Sequence, residues 1–223
     1  MKEGTGHFIV AIDGPAGSGK STVSKLLAKR LNLLYIDTGA MYRALTLKAM
    51  RQGLDLEDED ALIELARSAK IDLGGASGSL KVFLDGEDVS ALIRTPELTN
   101  NVRFIARVPG VRSEMVKLQR LIGARSNAVL EGRDIGTVVF PDAKFKFYLD
   151  ADVEERAKRR HKELLESDRK LALGDIREDV VKRDESDMKR QVGALKKAED
   201  AVLVDTTDLS IEEVVNRLLS YIK

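Results

Sequence analysis

Short apolar runs alternate with longer amphipathic stretches along most of this chain. The short runs predict buried strands, and the stretches with apolar residues three and four positions apart predict helices. Such β/α alternation predicts a parallel sheet with helices on both faces. The predicted strands are residues 8–12, 33–36, 127–131, 144–149 and 201–204, and the predicted helices are residues 22–31, 40–51, 58–70 and 210–222.

One segment, residues 71–95, interrupts this alternation. Gly74, Gly75 and Gly78 predict a turn, and the stretches "KVFL" and "EDVS" flank an Asp-Gly pair that predicts a β-hairpin. The segment holds too few apolar residues to fold alone. We therefore expect a small β insertion that packs on the parent domain.

Composition limits the class of protein. The chain has 223 residues, of which 43% are hydrophobic and 33% are charged, as expected of one globular domain. The 37 basic residues balance the 37 acidic ones and only 4% are aromatic, so no nucleic-acid partner is expected. No apolar run is long enough for a membrane span or a secretory signal. Cysteine is absent, which excludes disulfides and thiolate metal sites and favours a cytoplasmic protein.

The first predicted strand leads into a glycine-rich loop. Residues 14–21, "GPAGSGKS", fit the pattern G-x-x-x-x-G-K-[ST] and precede a predicted helix. Glycines let successive backbone N–H groups converge on one anion, Lys20 would reach the β- and γ-phosphates, and the Ser21 hydroxyl would face Mg²⁺. A chance glycine-rich turn is the alternative, and the strand–loop–helix context argues against it. The predicted ATP-phosphate site consists of Gly14, Pro15, Ala16, Gly17, Ser18, Gly19, Lys20, Ser21 and Thr22.

Polar residues follow the second and third predicted strands. "YIDTGAMYR" supplies Thr38, Tyr42 and Arg43, and "EGRD" supplies Arg133 and Asp134. Because the strand ends of a parallel sheet share one edge, we expect these side chains near the phosphate loop. Arginine presents a flat fork of donors suited to phosphate, and carboxylates bind hydroxyl or amino groups. Surface ion pairs are the alternative for each of them.

Three further charged residues are spaced for one helical face. "KRDESDMKR" contains Arg183, Asp187 and Arg190 at intervals of four, three and seven, so all three would lie on the same side of a helix. Arg112 opens another predicted helix. These residues extend the predicted ligand site beyond the strand ends.

Residues 156–162 carry basic side chains with no acid among them. One interpretation is a mobile lid that brings arginines onto transferring phosphates, where positioned positive charge accelerates the reaction. The other is a solvated helix rich in salt bridges. The candidate lid arginines are Arg156, Arg159 and Arg160.

The combination of "IDGPAGSGKST", "DTGAMYR", "EDVSALIRT", "EGRDIGTVVFPDA" and "KRDESDMKR" resembles the bacterial cytidylate kinase family from about residue 8 to the C-terminus. The resemblance implies a three-layer α/β P-loop NTPase fold with a parallel central sheet, a small β-containing acceptor-binding insertion and a helical lid. It also implies Mg²⁺-assisted transfer of a phosphoryl group from ATP to CMP, and to dCMP. We separately expect the protein to be a monomer. The implied single domain divides into a core of residues 8–57, 108–150 and 191–223, an insertion of 58–107 and a lid of 151–190.

The resemblance also implies roles for individual residues. Lys20, Arg133 and Arg190 would be catalytic, and the three lid arginines would bind ATP. Arg103 departs from the pattern, since some family members carry a small hydroxyl residue there near the base. The implied acceptor-binding residues are Thr38, Tyr42, Arg43, Arg112, Arg133, Asp134, Arg183, Asp187 and Arg190.

Two other classes of function are compatible with a phosphate loop. A UMP/CMP, guanylate or shikimate kinase would keep the loop and change the acceptor site, and the β insertion and "GRDIGTVVF" argue against it. A nucleotide-dependent switch would bind without transfer, and the guanine-reading N-K-x-D motif of GTPases is absent.

Overall fold

A computed structural model describes residues 7–74, 80–165 and 172–222. The chain forms eight strands in this part, and they divide into two sheets. The elements follow one another in the alternating order that the hydrophobic pattern predicts. The strands are β1 (Ile9–Asp13), β2 (Leu34–Asp37), β3 (Ile71–Gly74), β4 (Lys81–Leu84), β5 (Glu87–Asp88), β6 (Ala128–Gly132), β7 (Phe145–Asp150) and β8 (Val202–Asp205).

Helices connect the strands and cover the larger sheet on both faces. Two short elements supplement them, a 3-10 helix at Leu92–Arg94 and a π-helical turn at Ile135–Val139. The helices are α1 (Lys20–Leu31), α2 (Thr38–Arg51), α3 (Glu59–Ser68), α4 (Pro96–Ala106), α5 (Pro109–Gly123), α6 (Val153–Leu165), α7 (Leu173–Met188) and α8 (Ile211–Ile222).

The larger sheet is parallel and has the strand order β2-β6-β1-β7-β8. Strand β1 lies at its centre, and all five of its residues are buried. Its side chains alternate between faces, so Ile9 and Ala11 join one apolar core and Val10 and Ile12 join the other. The parallel α/β sheet predicted from the sequence is therefore confirmed, and the carboxyl ends of β1, β2 and β6 meet at one edge.

The predicted β insertion is also confirmed. Strands β3, β4 and β5 form a three-stranded antiparallel sheet, and Asp85 and Gly86 both have positive φ values, of 51° and 90°, as a tight hairpin turn requires. Val82 and Leu84 lie in the same core cluster as Met41 of α2, so the insertion packs on the parent domain as predicted. The expected turn at Gly75 and Gly78 lies outside the described residues.

The sequence prediction is wrong for one helical face. Helix α7 ends at Met188, so Arg190 does not share its face with Arg183 and Asp187. The chain turns back beyond the helix, where the Leu195 N–H donates to the Asp187 carbonyl at 2.9 Å. Gly193 makes this reversal with a φ of 67°. The turn, rather than helical periodicity, determines where Arg190 lies.

Within the described ranges, no helix is both long enough and apolar enough to cross a membrane.

Candidate active site

The phosphate loop connects β1 to α1, and its glycines are required by its backbone. Gly14 has a φ of 145°, and a Cβ there would lie 2.0 Å from the Leu149 carbonyl oxygen on β7. Gly17 has a φ of 78°, and a Cβ there would lie 3.0 Å from the Arg156 Cβ. A side chain at either position would strain the backbone and meet packed atoms. The loop is thus fixed between the sheet and helix α6.

Lys20 is the first residue of α1, and its ammonium group is buried over the loop. The Nζ donates to the Pro15 carbonyl at 2.5 Å and to Ser18 Oγ at 3.3 Å. Burial, and then the charge of Arg133, lowers the Lys20 pKa to about 7. Arg183 of α7 is near enough for its charge to lower the Lys20 pKa, and desolvation and Arg133 lower its own pKa to about 10. These mutually repelling cations form a strong site for anions.

Ser21 is linked to β6 and β2 through Glu131. The Ser21 hydroxyl donates to Glu131 Oε2 at 2.9 Å, and the Tyr35 hydroxyl donates to Oε1. Burial raises the Glu131 pKa, with a further contribution from Asp37, while Lys20 opposes the shift. Burial and Glu131 raise the Tyr35 pKa as well, so its hydroxyl stays a donor.

Asp13 is the last residue of β1, beside the loop, and its carboxylate is already hydrogen-bonded to backbone N–H groups. Its two carboxylate oxygens accept hydrogen bonds of 2.8 Å from the N–H groups of Ile135 and Gly136. Burial raises the Asp13 pKa to about 6, although these two hydrogen bonds oppose the shift. Asp13 therefore holds the start of the π-helical turn, a contact between residues more than 120 positions apart that no local pattern predicts.

A buried ion pair lies at the carboxyl end of β6, at the same edge of the parallel sheet. Arg112 of α5 donates to Asp134 at 2.5 Å, and both side chains are less than 10% exposed. The Tyr42 ring lies against this guanidinium, 5.5 Å from centroid to Cζ. Among the described residues, neither the Tyr42 hydroxyl nor the Arg112 Nε has a hydrogen-bond partner. Buried polar atoms are rarely left unpaired, so these two atoms have unused hydrogen-bonding capacity beside the ion pair.

Gly193 closes over this pair and was missed by the sequence analysis. A Cβ at Gly193 would lie 2.0 Å from an Arg112 nitrogen and 2.3 Å from an Asp134 oxygen. The backbone conformation of Gly193, with its positive φ, is what places it over the ion pair. The stretch "QVGAL" alone does not show that the chain turns back onto Arg112 and Asp134 at this point. The return of the chain after α7 is thus part of the site.

Asp187 joins two arginines from different segments. Its Oδ2 accepts from Arg133 Nε at 2.7 Å, and its other oxygen accepts from Arg190. Burial alone would raise the Asp187 pKa, but the charges of Arg133 and Arg190 lower it. Each guanidinium uses one edge on Asp187, which leaves further N–H donors for a ligand.

The end of β2 supplies the remaining predicted acceptor residues. Arg43 forms an ion pair with Asp37 at 3.0 Å. Asp37 also caps α2, because its carboxylate accepts a hydrogen bond from the Ala40 N–H. Thr38 donates to the Glu131 carbonyl at 2.7 Å. A Cβ at Gly132 would lie 2.8 Å from the Thr38 hydroxyl oxygen, so glycine is needed for this close approach.

The three predicted lid arginines lie in three different environments. Arg156 is buried, and it donates to Asp184 at 2.5 Å and to the Ala16 carbonyl of the phosphate loop at 3.1 Å. Arg159 donates to the hydroxyl and the carbonyl of Thr206, in the loop after β8. Arg160 pairs with Glu163 at the surface, and its charge acts on Arg183.

The structure thus brings Arg156 and Arg159 to the phosphate-loop side of α6. Asp184 and Thr206 are contacts that the sequence analysis missed, because neither stands out from its surroundings in "KRDESD" or "VDTTD". Residues 166–171, the middle of the predicted lid, lie outside the described part of the chain. Arg103 lies on the exposed side of α4, with its guanidinium 4.8 Å from the Phe104 ring centroid.

The parallel sheet, the phosphate loop between β1 and α1, and the arginines beside it define the class of protein, a P-loop kinase. The family model described as cytidylate kinase matches residues 10–223. Curated cytidylate kinases from Geobacillus sp. (strain WCH70) and Desulforamulus reducens are each 51% identical to this chain. These alignments cover 96% and 98% of this chain and 95% and 98% of the relatives, respectively. The chain belongs to the cytidylate kinase family.

A solved structure extends the comparison to the fold alone. An uncharacterized protein from Eubacterium ventriosum has a TM-score of 0.51 and 13% sequence identity to this chain, and the match covers 97% of this chain and 98% of that one. This similarity concerns the arrangement of strands and helices and says nothing about the acceptor.

Proposed function

We propose that this chain transfers the γ-phosphoryl group of ATP to CMP, and also to dCMP. The observation that carries the proposal is the set of crowded cations beside the phosphate loop. Besides burial, the charges of Arg133 and Arg183 lower the Lys20 pKa, and the charge of Arg133 lowers the Arg183 pKa, as expected where phosphate groups are to be neutralised. Membership of the cytidylate kinase family supports CMP as the acceptor.

On the donor side, the backbone N–H groups between Gly14 and Thr22, apart from Pro15, and the Lys20 ammonium group bind the ATP phosphates. Arg156 holds the loop at the Ala16 carbonyl, and Arg159 lies where the loop after β8 approaches α1. Because Arg160 is exposed and acts on Arg183, its proposed contact with ATP depends on closure of the lid, residues 151–190.

The residues around Ser21 fit a magnesium ion. Mg²⁺ prefers oxygen ligands and keeps several waters beside substrate phosphates. Ser21 donates its one proton to Glu131, so both lone pairs on Oγ remain available, and the Glu131 carboxylate is near enough to accept from metal-bound water. When bound, the ion would neutralise charge on the β- and γ-phosphate oxygens.

On the acceptor side, Arg133 and Arg190 bind and orient the CMP phosphate with N–H groups that Asp187 leaves free. The Arg112–Asp134 pair and Tyr42 present polar atoms for the cytosine ring, and Asp134 accepts from its amino group. Thr38, Arg43 and Arg183 complete the pocket, and Asp187 lies near the ribose.

The transfer needs no protein nucleophile, since a CMP phosphate oxygen attacks the γ-phosphorus in line and ADP leaves. An ionised phosphate needs no strong general base at neutral pH. The arginines offset the repulsion between two anions and stabilise charge in the transition state. Lid closure keeps water away from the γ-phosphate.

A coupled ADP-release assay tests this function. ATP and Mg²⁺ are supplied with CMP, dCMP, UMP, GMP or shikimate in separate reactions. We expect turnover with CMP and dCMP far above the other acceptors. Preference for another acceptor would retain the phosphate-loop interpretation and overturn the roles of Arg112, Arg133 and Asp134. ADP release independent of any acceptor would contradict a kinase.

A further inference from the structure

Tyr35 is not one of the residues assigned to ATP or CMP binding. Its hydroxyl nevertheless lies beside Glu131 and Ser21, the residues that fit a magnesium ion. Tyr35 lies on β2 and is 7% exposed, and it donates to Oε1 of Glu131, which is 4% exposed. The other oxygen of the same carboxylate accepts from Ser21 at 2.9 Å. Ser21 also acts directly on the Tyr35 hydroxyl, so residues of β2, β6 and α1 form one hydrogen-bonded cluster around the Glu131 carboxylate.

The direction of these hydrogen bonds matters for Ser21. A serine hydroxyl has one proton and two lone pairs. When the proton goes to Glu131 rather than to the nearby Tyr35 hydroxyl, both lone pairs remain for a cation, and Ser21 is an acceptor toward a metal ion. This holds only while the Glu131 carboxylate keeps its orientation.

Tyr35 supplies that orientation. The Glu131 backbone is fixed in β6, where Thr38 also donates to its carbonyl at 2.7 Å, but the carboxylate can still rotate about its terminal torsion. Tyr35 holds Oε1 from a rigid aromatic ring and leaves Oε2 directed at Ser21. A phenylalanine would fill the same space in the core without this hydrogen bond.

We propose that Tyr35 is a positioning residue that acts through Glu131 to set Ser21 for Mg²⁺ in the Mg²⁺–ATP complex. The inference rests on the proposed function, since it takes ATP with Mg²⁺ as the donor. Partners that orient metal-binding groups typically change metal affinity 10- to 100-fold when removed.

Calorimetric titration with ATP tests the proposal without catalysis. For Tyr35→Phe, we expect the affinity for ATP in EDTA to stay within about twofold of wild type, since the ring and the loop amides are unchanged. The gain in affinity on adding saturating Mg²⁺ should fall about 10-fold. A purely structural role would lower both affinities together, and that outcome would overturn the proposal, as would an unchanged Mg²⁺-dependent gain.

Tyr148→Phe is the matched control. Tyr148 is buried on β7 and pairs in register with Asp13 of β1, and its hydroxyl has no hydrogen bond with any described residue. It should change neither affinity. A second test uses a Glu131→Gln background, in which Tyr35→Phe should have no further effect on the Mg²⁺-dependent gain. An additive effect there would mean that Tyr35 does not act through Glu131.

These measurements separate two failures. If the wild-type protein binds Mg²⁺–ATP but phosphorylates no CMP, the proposed acceptor is wrong and the comparison of Tyr35 variants still stands. If CMP is phosphorylated and Tyr35→Phe behaves as wild type in both titrations, only the inference about Tyr35 fails.

Discussion

Arg133 illustrates how a single residue can serve both the structure and a ligand. Its Nε binds buried Asp187 at 2.7 Å, and one terminal nitrogen donates to the Gly132 carbonyl at 3.2 Å. Further N–H groups of the fork remain for a phosphate. Burial opposes a charge on Arg133, but Asp187 compensates and raises its pKa, so the cation is maintained.

We expect Arg133→Ala to lower kcat/KM for CMP by at least about 100-fold, because the variant loses the charge that we propose to stabilise the transferring phosphoryl group. The coupled assay with CMP measures this, and thermal unfolding checks that the variant is folded. Arg177→Ala is the control, since Arg177 is exposed on the same helix α7 and its ion pair within the described part of the chain is with Glu154. Near-normal turnover of Arg133→Ala would exclude the catalytic role.

Asp13 should make stability depend on pH. Its folded pKa of about 6 exceeds the ordinary value of 3.8, so the folded protein holds a proton more tightly than the unfolded chain. The corresponding stabilisation is complete below about pH 4 and is lost as the pH rises through about 6. Asp13→Asn removes this dependence.

Urea unfolding of wild type and Asp13→Asn at pH 8 and pH 5 measures the effect. The unfolding free energy of wild type minus that of Asp13→Asn should increase by about 1.4 kcal/mol when the pH is lowered from 8 to 5. A difference that is constant with pH, or moves the other way, would contradict the raised pKa. Comparison with the variant is necessary because other carboxylates also titrate in this range.

Local sequence patterns predicted some residues of the candidate site, but they did not predict which residues those side chains contact. The phosphate loop is encoded in eight neighbouring residues, so its motif was sufficient to predict Lys20 and Ser21. The contact of Arg133 with Asp187 joins residues 54 positions apart, and no local pattern specifies it. Tyr35 looked like an ordinary strand residue because only the pairing of β2 with β6 brings it to Glu131.

At the scale of elements, the arrangement of α6 and α7 depends on a buried ion pair. Arg156 and Asp184 lie 2.5 Å apart with side chains less than 10% exposed, and Arg156 also reaches the phosphate loop. Periodicity predicts that such helices exist, but their ends depend on tertiary contacts. This is why Arg190 was wrongly predicted on the face of α7.

We expect Asp184→Ala to lower the unfolding free energy by about 3 kcal/mol, since it leaves Arg156 buried without its carboxylate partner. Glu154→Ala is the matched control, because Glu154 and Arg177 join the same two helices at 2.5 Å but are at least half exposed. It should cost less than about 1 kcal/mol. Equal losses in urea unfolding would show that burial of the Arg156–Asp184 pair does not matter.

On the scale of the whole molecule, the β insertion and the parent domain share one core. Leu84 of β4 and Ile93 of the 3-10 helix belong to the cluster that contains Leu45 of α2 and Leu130 of β6. The hairpin was predictable because its Asp-Gly turn is local. The sequence predicted that the insertion packs on the parent domain, since it has too few apolar residues for a core of its own. It did not predict that the contact is with α2.

Because this core is shared, the insertion should unfold together with the parent domain. Leu84→Ala leaves a cavity in the shared cluster, so we expect it to lower the unfolding free energy by at least about 2 kcal/mol. The four tyrosines all lie outside the insertion, so tyrosine fluorescence reports on the parent domain. Its urea midpoint should shift as far as the midpoint from circular dichroism. Leu121→Ala, at a position 64% exposed on α5, should shift neither midpoint noticeably. A Leu84→Ala variant with an unchanged fluorescence midpoint would instead mean that the insertion unfolds independently.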